Sequence, residues 1–413
     1  MFKYTYKITM EMQYKLYRYR WVVLFAVVPI ILCTEMFWLA LAPISSLVQE
    51  HYHIGSMEVS LFTSSYMIMY ILFTLPASWV IDKFGYRPSL IIGALVTAVF
   101  GILRIFVADN FTAVLVTQFI IAAGQPFLLN ISTKIPANWF PVTERSVAAG
   151  ILTMAQYLGF VVPMILSPIL AESYTLSTLY IVYGIIACVC TLVAILLTKE
   201  RPALPPGPDA EKEDLSPASM IRLFKNINFL YVLIIAFISM GIFNTLLTLI
   251  ESIVTPRGLS INDAGMIGSV FVIAGILGAV ILPIISDKLR RRKALFVFGI
   301  TLLAPLYFGI TYVTAFLPLI ILSGFAGFTI MGLAPILFQH GAEVAYPAQE
   351  GTSLGLILLM GQISGALFVF LFEVISQTTD SVALPMLIFV ALTIIEIPIT
   401  IKIRESELLH KSS

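Results

Sequence analysis

The chain has little charge. Only 11% of its 413 residues are Asp, Glu, Lys or Arg, while 59% are hydrophobic, and the mean hydropathy is +0.98. Soluble domains carry about 25% charged residues, so the composition excludes an ordinary soluble enzyme and points to an integral membrane protein. Cysteine is scarce too. Cys33, Cys188 and Cys190 all sit in apolar runs, which suggests buried thiols rather than a disulfide framework or a metal site. Histidine numbers four, and HYH at 51–53 is a weak metal pattern that reads as solvated. No phosphate-cradling Walker loop occurs, so ATP is not implied, and no nucleophile–base set marks an enzyme. The net charge of +1 says nothing about partners, because the distribution of the charges matters more than their sum; no nucleic-acid partner is expected. The basic, aromatic first 20 residues lack the small-residue cleavage site of a signal peptide. No cofactor and no metal are expected.

What the chain has instead is long apolar runs. A span needs about 20 mostly apolar residues. Twelve runs qualify: 21–48, 58–80, 88–107, 111–133, 146–169, 175–198, 228–252, 264–286, 294–313, 316–339, 352–376 and 382–402. Residues 199–219, KERPALPPGPDAEKEDLSPAS, are Pro-rich and charged and read as an aqueous linker. The expected layout is therefore an all-α membrane protein of two six-helix bundles, 1–198 and 227–413, joined by 199–226. If both termini and the even-to-odd loops share one side, that side holds nearly all the Lys and Arg, leaving only Arg104 and Arg257 opposite. The positive-inside rule then makes both termini cytoplasmic; a plasma-membrane monomer is expected.

The two halves repeat. WVIDKFGYR after the second run resembles IISDKLRRR after the eighth, and Asp82 and Asp287 lie 205 residues apart. FPVTE at 140–144 matches YPAQE at 346–350, and MAQYLG at 154–159 matches MGQISG at 360–365, both at 206. Duplicated six-helix units related by an axis along the membrane normal are a transporter architecture with the substrate site between the halves. The recurring Asp with its basic neighbours, Asp82 with Lys83 and Arg87, and Asp287 with Arg291, reads as a latch at the cytoplasmic gate, or as plain topogenic charge.

Polar residues inside the apolar runs are candidates for function, because they are costly there. Glu35 is the only acid in the first run, and Trp38 follows one helical turn later, so both can share a face. Trp38 offers a π face to a cation or a flat ring, or is an interfacial anchor. Glu35 reads as a counter-charge to a cationic solute, as a proton site, or as a structural acid. Gln125, Asn130, Gln156, Asn244 and Gln362 are mid-span amides that line a cavity or join helices. Glu373 falls on the face of Gln362, eleven residues on, and reads as part of an extracellular gate and a second proton-coupling candidate. Arg104 and Glu251 read as anchors near helix ends, and Glu396 as structural. Glycines 150, 159, 355, 361 and 365 read as packing surfaces for rocking helices. Pro43, Pro76, Pro126 and Pro163 read as kinks. NFT at 110–112 fits a glycosylation sequon placed against the membrane.

The loop SWVIDKFGYR at 78–87 resembles the signature loop of the major facilitator superfamily, with Ser78 where Gly is usual. FWLALAP in the first run, GQPFLLN and IPANWFP around the fourth, and EVAYPAQEGTSLG before the eleventh resemble the feline leukaemia virus subgroup C receptor-related family, linked to haem, choline and ethanolamine. The resemblance implies a solute carrier. It also implies a choline site built by a Trp, a Gln, a Tyr and a Gln at the positions of Trp38, Gln125, Asn244 and Gln362, so the Tyr is Asn244 here and Glu35 has no counterpart. The expectation is a secondary transporter working by alternating access on a choline- or ethanolamine-like amine, with possible proton coupling. A porphyrin or flat vitamin-like solute is the second reading, and a non-transporting receptor or scaffold the third.

Overall fold

The computed structural model describes residues 15–206, 223–289, 291–345 and 350–405. Lys3, Lys7, the linker core at 207–222, Arg290, residues 346–349 of YPAQE, and His410 and Lys411 lie outside the described residues. The described residues contain no strand and twelve helices long and apolar enough to cross a membrane. They are α1 (Tyr19–Trp38), α2 (Ser56–Phe84), α3 (Tyr86–Phe106), α4 (Phe111–Leu129), α5 (Val142–Ser173), α6 (Leu176–Leu197), α7 (Ile227–Thr248), α8 (Ile261–Leu289), α9 (Arg292–Tyr312), α10 (Phe316–Ala345), α11 (Glu350–Thr379) and α12 (Ala383–Lys402). Large apolar side chains such as Leu75, Phe106 and Leu196 are exposed on the outside of the bundle, as a lipid-facing surface requires.

Three runs expected to be single helices are interrupted. The first stops at Trp38, passes through a 3₁₀ turn at Ala42–Ile44, and resumes as a short helix at Ser45–Tyr52. Pro43 explains the interruption: it has no N–H for the helix ladder and its ring crowds the carbonyl of Leu39. The fourth run breaks at Asn130 before a short helix, Ile131–Trp139. The seventh breaks at Leu249 before Ile250–Val254. Pro76, Pro126 and Pro163 are absorbed inside α2, α4 and α5. Asn110 of the sequon is the N-cap of α4, its Oδ1 accepting the Ala113 amide at 3.0 Å.

Helix pairing repeats between the halves. α1 packs on α5 as α7 packs on α11; α2 on α4 as α8 on α10; α3 on α6 as α9 on α12. The halves meet through α5 on α8 and α11 on α2, which a two-fold axis interchanges. Contact is uneven along that axis. Four hydrogen bonds between described residues join the halves: Ser46 to Glu251, Ser56 to Glu373, Gln377 to Ser56, and Asn262 to Glu172. All four lie at the distal end, away from the termini. One apolar core runs through both halves and includes that end. At the terminal end the α7–α12 half has a separate core of its own, with Phe229, Val232, Phe296, Ile336 and Ile357. The bundle is thus closed distally and parted at its terminal end.

The helices of one half approach closely where glycines remove side chains. A Cβ on Gly278 of α8 would lie 2.0 Å from the carbonyl oxygen of Phe328, and one on Gly327 of α10 would lie 1.9 Å from that of Phe271. Of the five glycines expected to pack, Gly159, Gly361 and Gly365 do, against α1, α7 and both α7 and α2. Gly150 and Gly355 meet nothing within 4 Å, because they lie where the halves have parted.

Candidate functional site

Glu35 is 1% exposed. Its Oε2 accepts a hydrogen bond from Gln125 Nε2 at 3.0 Å, so α1 and α4 are joined through the two residues. Gly159 of α5 presses its backbone on the same spot: a Cβ there would come within 2.6 Å of Glu35 Cβ and of the Leu32 carbonyl. No Lys or Arg forms an ion pair with Glu35 among the described residues. A buried carboxyl held by one neutral amide is an incomplete set of partners. Beside it lie the buried hydroxyls of Thr34 and Tyr66.

Trp38 is placed differently from an open stacking platform. It is 6% exposed, its Nε1–H donates to the Thr63 carbonyl of α2 at 3.0 Å, and its ring meets Phe160 of α5 edge-on with centroids 5.3 Å apart. Phe160 continues to Phe243 of α7 at 6.4 Å, and Phe243 stacks on Phe271 of α8 at 6.0 Å. Tyr157 lies beside Phe160 at 6.0 Å. This row of rings crosses from one half to the other. Sequence reasoning found Trp38 but missed the rest of the row, since single Phe residues on three separate helices carry no local signal.

The amides divide by setting. Gln156 sits one turn before Phe160, and Gln362 lies on the α11 face that carries Glu373 to the other half; both are partly exposed. Asn244 is 4% exposed and spends its Nδ2 on the Gly361 carbonyl at 3.1 Å, which ties α7 to α11. A Cβ on Gly365 would stand 2.7 Å from that Nδ2, so α11 comes this close to Asn244 only because a glycine faces it. Asn130 is also engaged inside its half. It accepts from Tyr70 Oη at 3.3 Å and donates to Thr74 and Ser78 oxygens at 3.2 Å. The structure therefore brings together Glu35, Gln125 and Trp38, and leaves Asn130 and Asn244 as links between helices.

Arg104 is an interior hub rather than an anchor. It is 1% exposed and lies over the rings of Phe37 and Tyr180. It donates to Thr117 at 3.2 Å and to Gln118 Oε1. Gln118 Nε2 in turn donates to the carbonyls of Phe37 and Phe62 at 3.2 and 3.1 Å. The Phe37 carbonyl is one that the break in α1 leaves free, so this network holds the end of α1 just beyond Glu35.

The terminal-end charges differ from the expected latch. Asp82 pairs with Lys134 at 3.8 Å, not with Lys83 or Arg87, and both partners are well exposed. Lys83 lies over the Trp79 ring at 4.8 Å. Asp287 reaches Arg292 at 3.8 Å rather than Arg291, and Arg292 binds Glu343 at 2.7 Å. The backbone amides of Tyr86 and Arg87 donate to the Glu200 carboxylate at 3.1 and 2.8 Å. Those of Arg292 and Lys293 donate to Glu405 at 2.9 and 3.3 Å. Each half thus caps its third helix with a glutamate following its sixth, which satisfies free amides and opposes the helix dipole. The repeat of 205 residues between Glu200 and Glu405 is the signal that could have found them. Residues 199 and 200 are accordingly packed: Trp139 Nε1 donates to the Lys199 carbonyl at 3.2 Å, and Asn138 to that of Glu200 at 3.3 Å.

At the distal end Glu373, 3% exposed, accepts from Ser56 Oγ at 2.5 Å. Glu251, 1% exposed, accepts the Ser46 amide at 2.7 Å, and its Oε1 has no partner. Burial pushes the Glu251 carboxyl above its ordinary value of 4.5, against the opposing pull of the donors at Ser46 and Ser45. Glu396 of α12 accepts from Ser239 at 2.7 Å inside its own half.

Residues 26–369 match the model of the Major Facilitator Superfamily. The human choline/ethanolamine transporter FLVCR2 is 29% identical over 379 residues, covering 86% of this chain and 71% of that protein. Its rat counterpart is 29% identical with 86% and 69% covered. Solute carrier family 49 member A3 of Xenopus tropicalis is 26% identical, with 88% and 80% covered. Among solved structures, a bacterial homolog of the human lysosomal transporter Spinster, inward-facing and unoccupied, superposes with a TM-score of 0.76 at 15% identity, covering 94% of this chain and 97% of that one. With its twelve helices in two interchangeable halves, the chain belongs to the major facilitator superfamily and is an integral membrane transporter related to the FLVCR proteins.

Proposed function

We propose that the protein moves a small amine of the choline or ethanolamine class by alternating access. The two halves, 1–198 and 227–413, act as the moving bodies joined through 199–226. The observation that carries the reading is Glu35: a buried carboxyl on α1, held by Gln125 and without an ion-pair partner among the described residues. An ammonium group supplies the missing charge, and the neighbouring Trp38 and Phe160 supply aromatic faces for its methyl groups. Gln156 and Gln362 line the approach from the parted end. Asn130 and Asn244 act indirectly, by setting helix spacing. Proton coupling runs through Glu35, which exchanges a proton for the amine, or through Glu373.

The similarity to FLVCR2 choline/ethanolamine transporters of human, rat and zebrafish supports the amine class. The distribution of Lys and Arg supports cytoplasmic termini in a plasma-membrane monomer, so the parted end faces inward. Asp82, Lys83, Arg87, Asp287 and Arg291 then surround the inner gate, where Lys134 and Arg292 also enter. A thermal-shift screen of the purified protein tests the substrate class, since a ligand of the folded state raises stability. Choline or ethanolamine should raise the melting temperature at millimolar concentration. A rise with a porphyrin and none with any amine would replace the amine by a flat ring, and no rise with any solute would favour a receptor or scaffold.

A further inference from the structure

The distal contact between the halves contains a carboxyl in an unusual setting. Glu251 lies on the short helix Ile250–Val254, which continues α7 beyond its break. Across the interface, the first turn of Ser45–Tyr52, which continues α1 beyond its own break, presents the Ser46 amide at 2.7 Å. The carboxyl is 1% exposed and Oε1 has no hydrogen-bond partner. Five elements pack around it: the Ala42–Ile44 turn, Ser45–Tyr52, Thr255–Arg257, α7 and α8. The turn and α7 carry no charge. Glu50 and His51 of Ser45–Tyr52 are exposed. Arg257 turns away to the carbonyls of Ile310 and Val313. Asp263, at the start of α8, is taken up by Ser260. Among the described residues no Lys or Arg forms an ion pair with Glu251.

We infer that Glu251 is a proton-binding site of the distal gate, taking a proton when the halves close there and releasing it when they part. The inference rests on the alternating-access reading. Closure moves the carboxyl from water into a largely apolar contact whose donors, at Ser46 and Ser45, are uncharged and which holds no counter-ion among the described residues, so its ionised form is costly there. A proton on the free Oε1 removes that cost and leaves Oε2 accepting from Ser46. Because the same site binds a proton more tightly in the closed than in the parted arrangement, linkage requires that protons favour closure.

The sign follows from burial. The closed-state value lies above the ordinary glutamate value of 4.5, which the water-exposed carboxyl of the parted state retains. Acid therefore adds to closure as pH falls through the raised closed-state value. The effect is complete near the ordinary value and is lost again as pH rises. Glu373 closes the same end on Ser56, with Glu58 as the charge facing it. Glu172, by contrast, is exposed where it meets Asn262.

Single-molecule energy transfer without substrate tests this separately from transport. Dyes attached through non-canonical residues at positions 174 and 314, both exposed at the distal end, report closed and parted populations in the full-length protein in nanodiscs. The closed-to-parted ratio of the wild type should rise about threefold or more from pH 8 to pH 5, one proton setting a ceiling of about tenfold per pH unit. Glu251→Gln, which keeps the acceptor and loses the charge, should hold the acid-like ratio at both pH values. Glu172→Gln should keep the wild-type pH response. A wild-type ratio that ignores pH, a full response retained in Glu251→Gln, or a response abolished by Glu172→Gln would each overturn the inference. Failure of amine binding leaves this readout unaffected.

Discussion

Glu35→Gln is the sharpest test of the amine site. The replacement keeps the length and volume of the side chain. Its carbonyl oxygen can still accept from Gln125 Nε2, which stands 3.0 Å from the native carboxylate, and the close approach of Gly159 to the Cβ is unchanged. The fold should therefore survive, with a melting temperature within about 3 °C of wild type. What disappears is the charge. Removing one partner of a desolvated charge pair costs about 2–5 kcal/mol, which is a loss of roughly 30- to 4,000-fold in affinity at 1.4 kcal/mol per decade. The assay is equilibrium binding of radiolabelled choline to purified protein at pH 7.5. A neutral isostere, 3,3-dimethylbutan-1-ol, serves as competitor. Choline affinity should fall by at least thirtyfold while the neutral competitor keeps its affinity within about threefold. Choline binding within threefold of wild type, or an equal loss for charged and neutral ligands, would refute the assignment of Glu35 as counter-charge.

Gly278→Ala forces a Cβ to within 2.0 Å of the Phe328 carbonyl oxygen, so α8 and α10 must separate. Overpacking of about 1–3 kcal/mol should lower the melting temperature by several degrees, and an unchanged value would mean that this pair of helices yields freely. Glu200→Ala and Glu405→Ala each remove an acceptor of two helix-terminal amides, a cap worth about 1 kcal/mol. Hydrogen–deuterium exchange should then quicken about fivefold at the first amides of α3 and α9 respectively, without spreading to the other half. Equal exchange in wild type and variants would show that the caps contribute nothing.

Composition alone was enough for the membrane class. Excluding charge from runs of about 20 residues leaves few structures but spanning helices, because a backbone in lipid must satisfy its own hydrogen bonds. The internal repeat made the pairing of halves legible, since a duplicated sequence folds twice into the same bundle. Glu35 was legible as well: one acid in an apolar helix is conspicuous against its neighbours. Other features depended on contacts between residues far apart in the chain. Pro43 is visible in the sequence, but nothing local says that Gln118, itself held by Arg104, donates to the carbonyl freed near it. The pairing of Asp82 with Lys134, rather than with its sequence neighbours Lys83 and Arg87, depends on how α2 and the end of the fourth run converge. Asn244 looked like a lining residue, yet the approach of α11 at Gly361 and Gly365 turns it into a link between helices. Glu251 looked like an anchor because it stands near a helix end. Its burial exists only because two broken helices, one from each half, meet end to end at the distal gate. Hydrophobic patterning specifies which segments enter the membrane; the direction and depth of each polar side chain are set by the helices that pack against it.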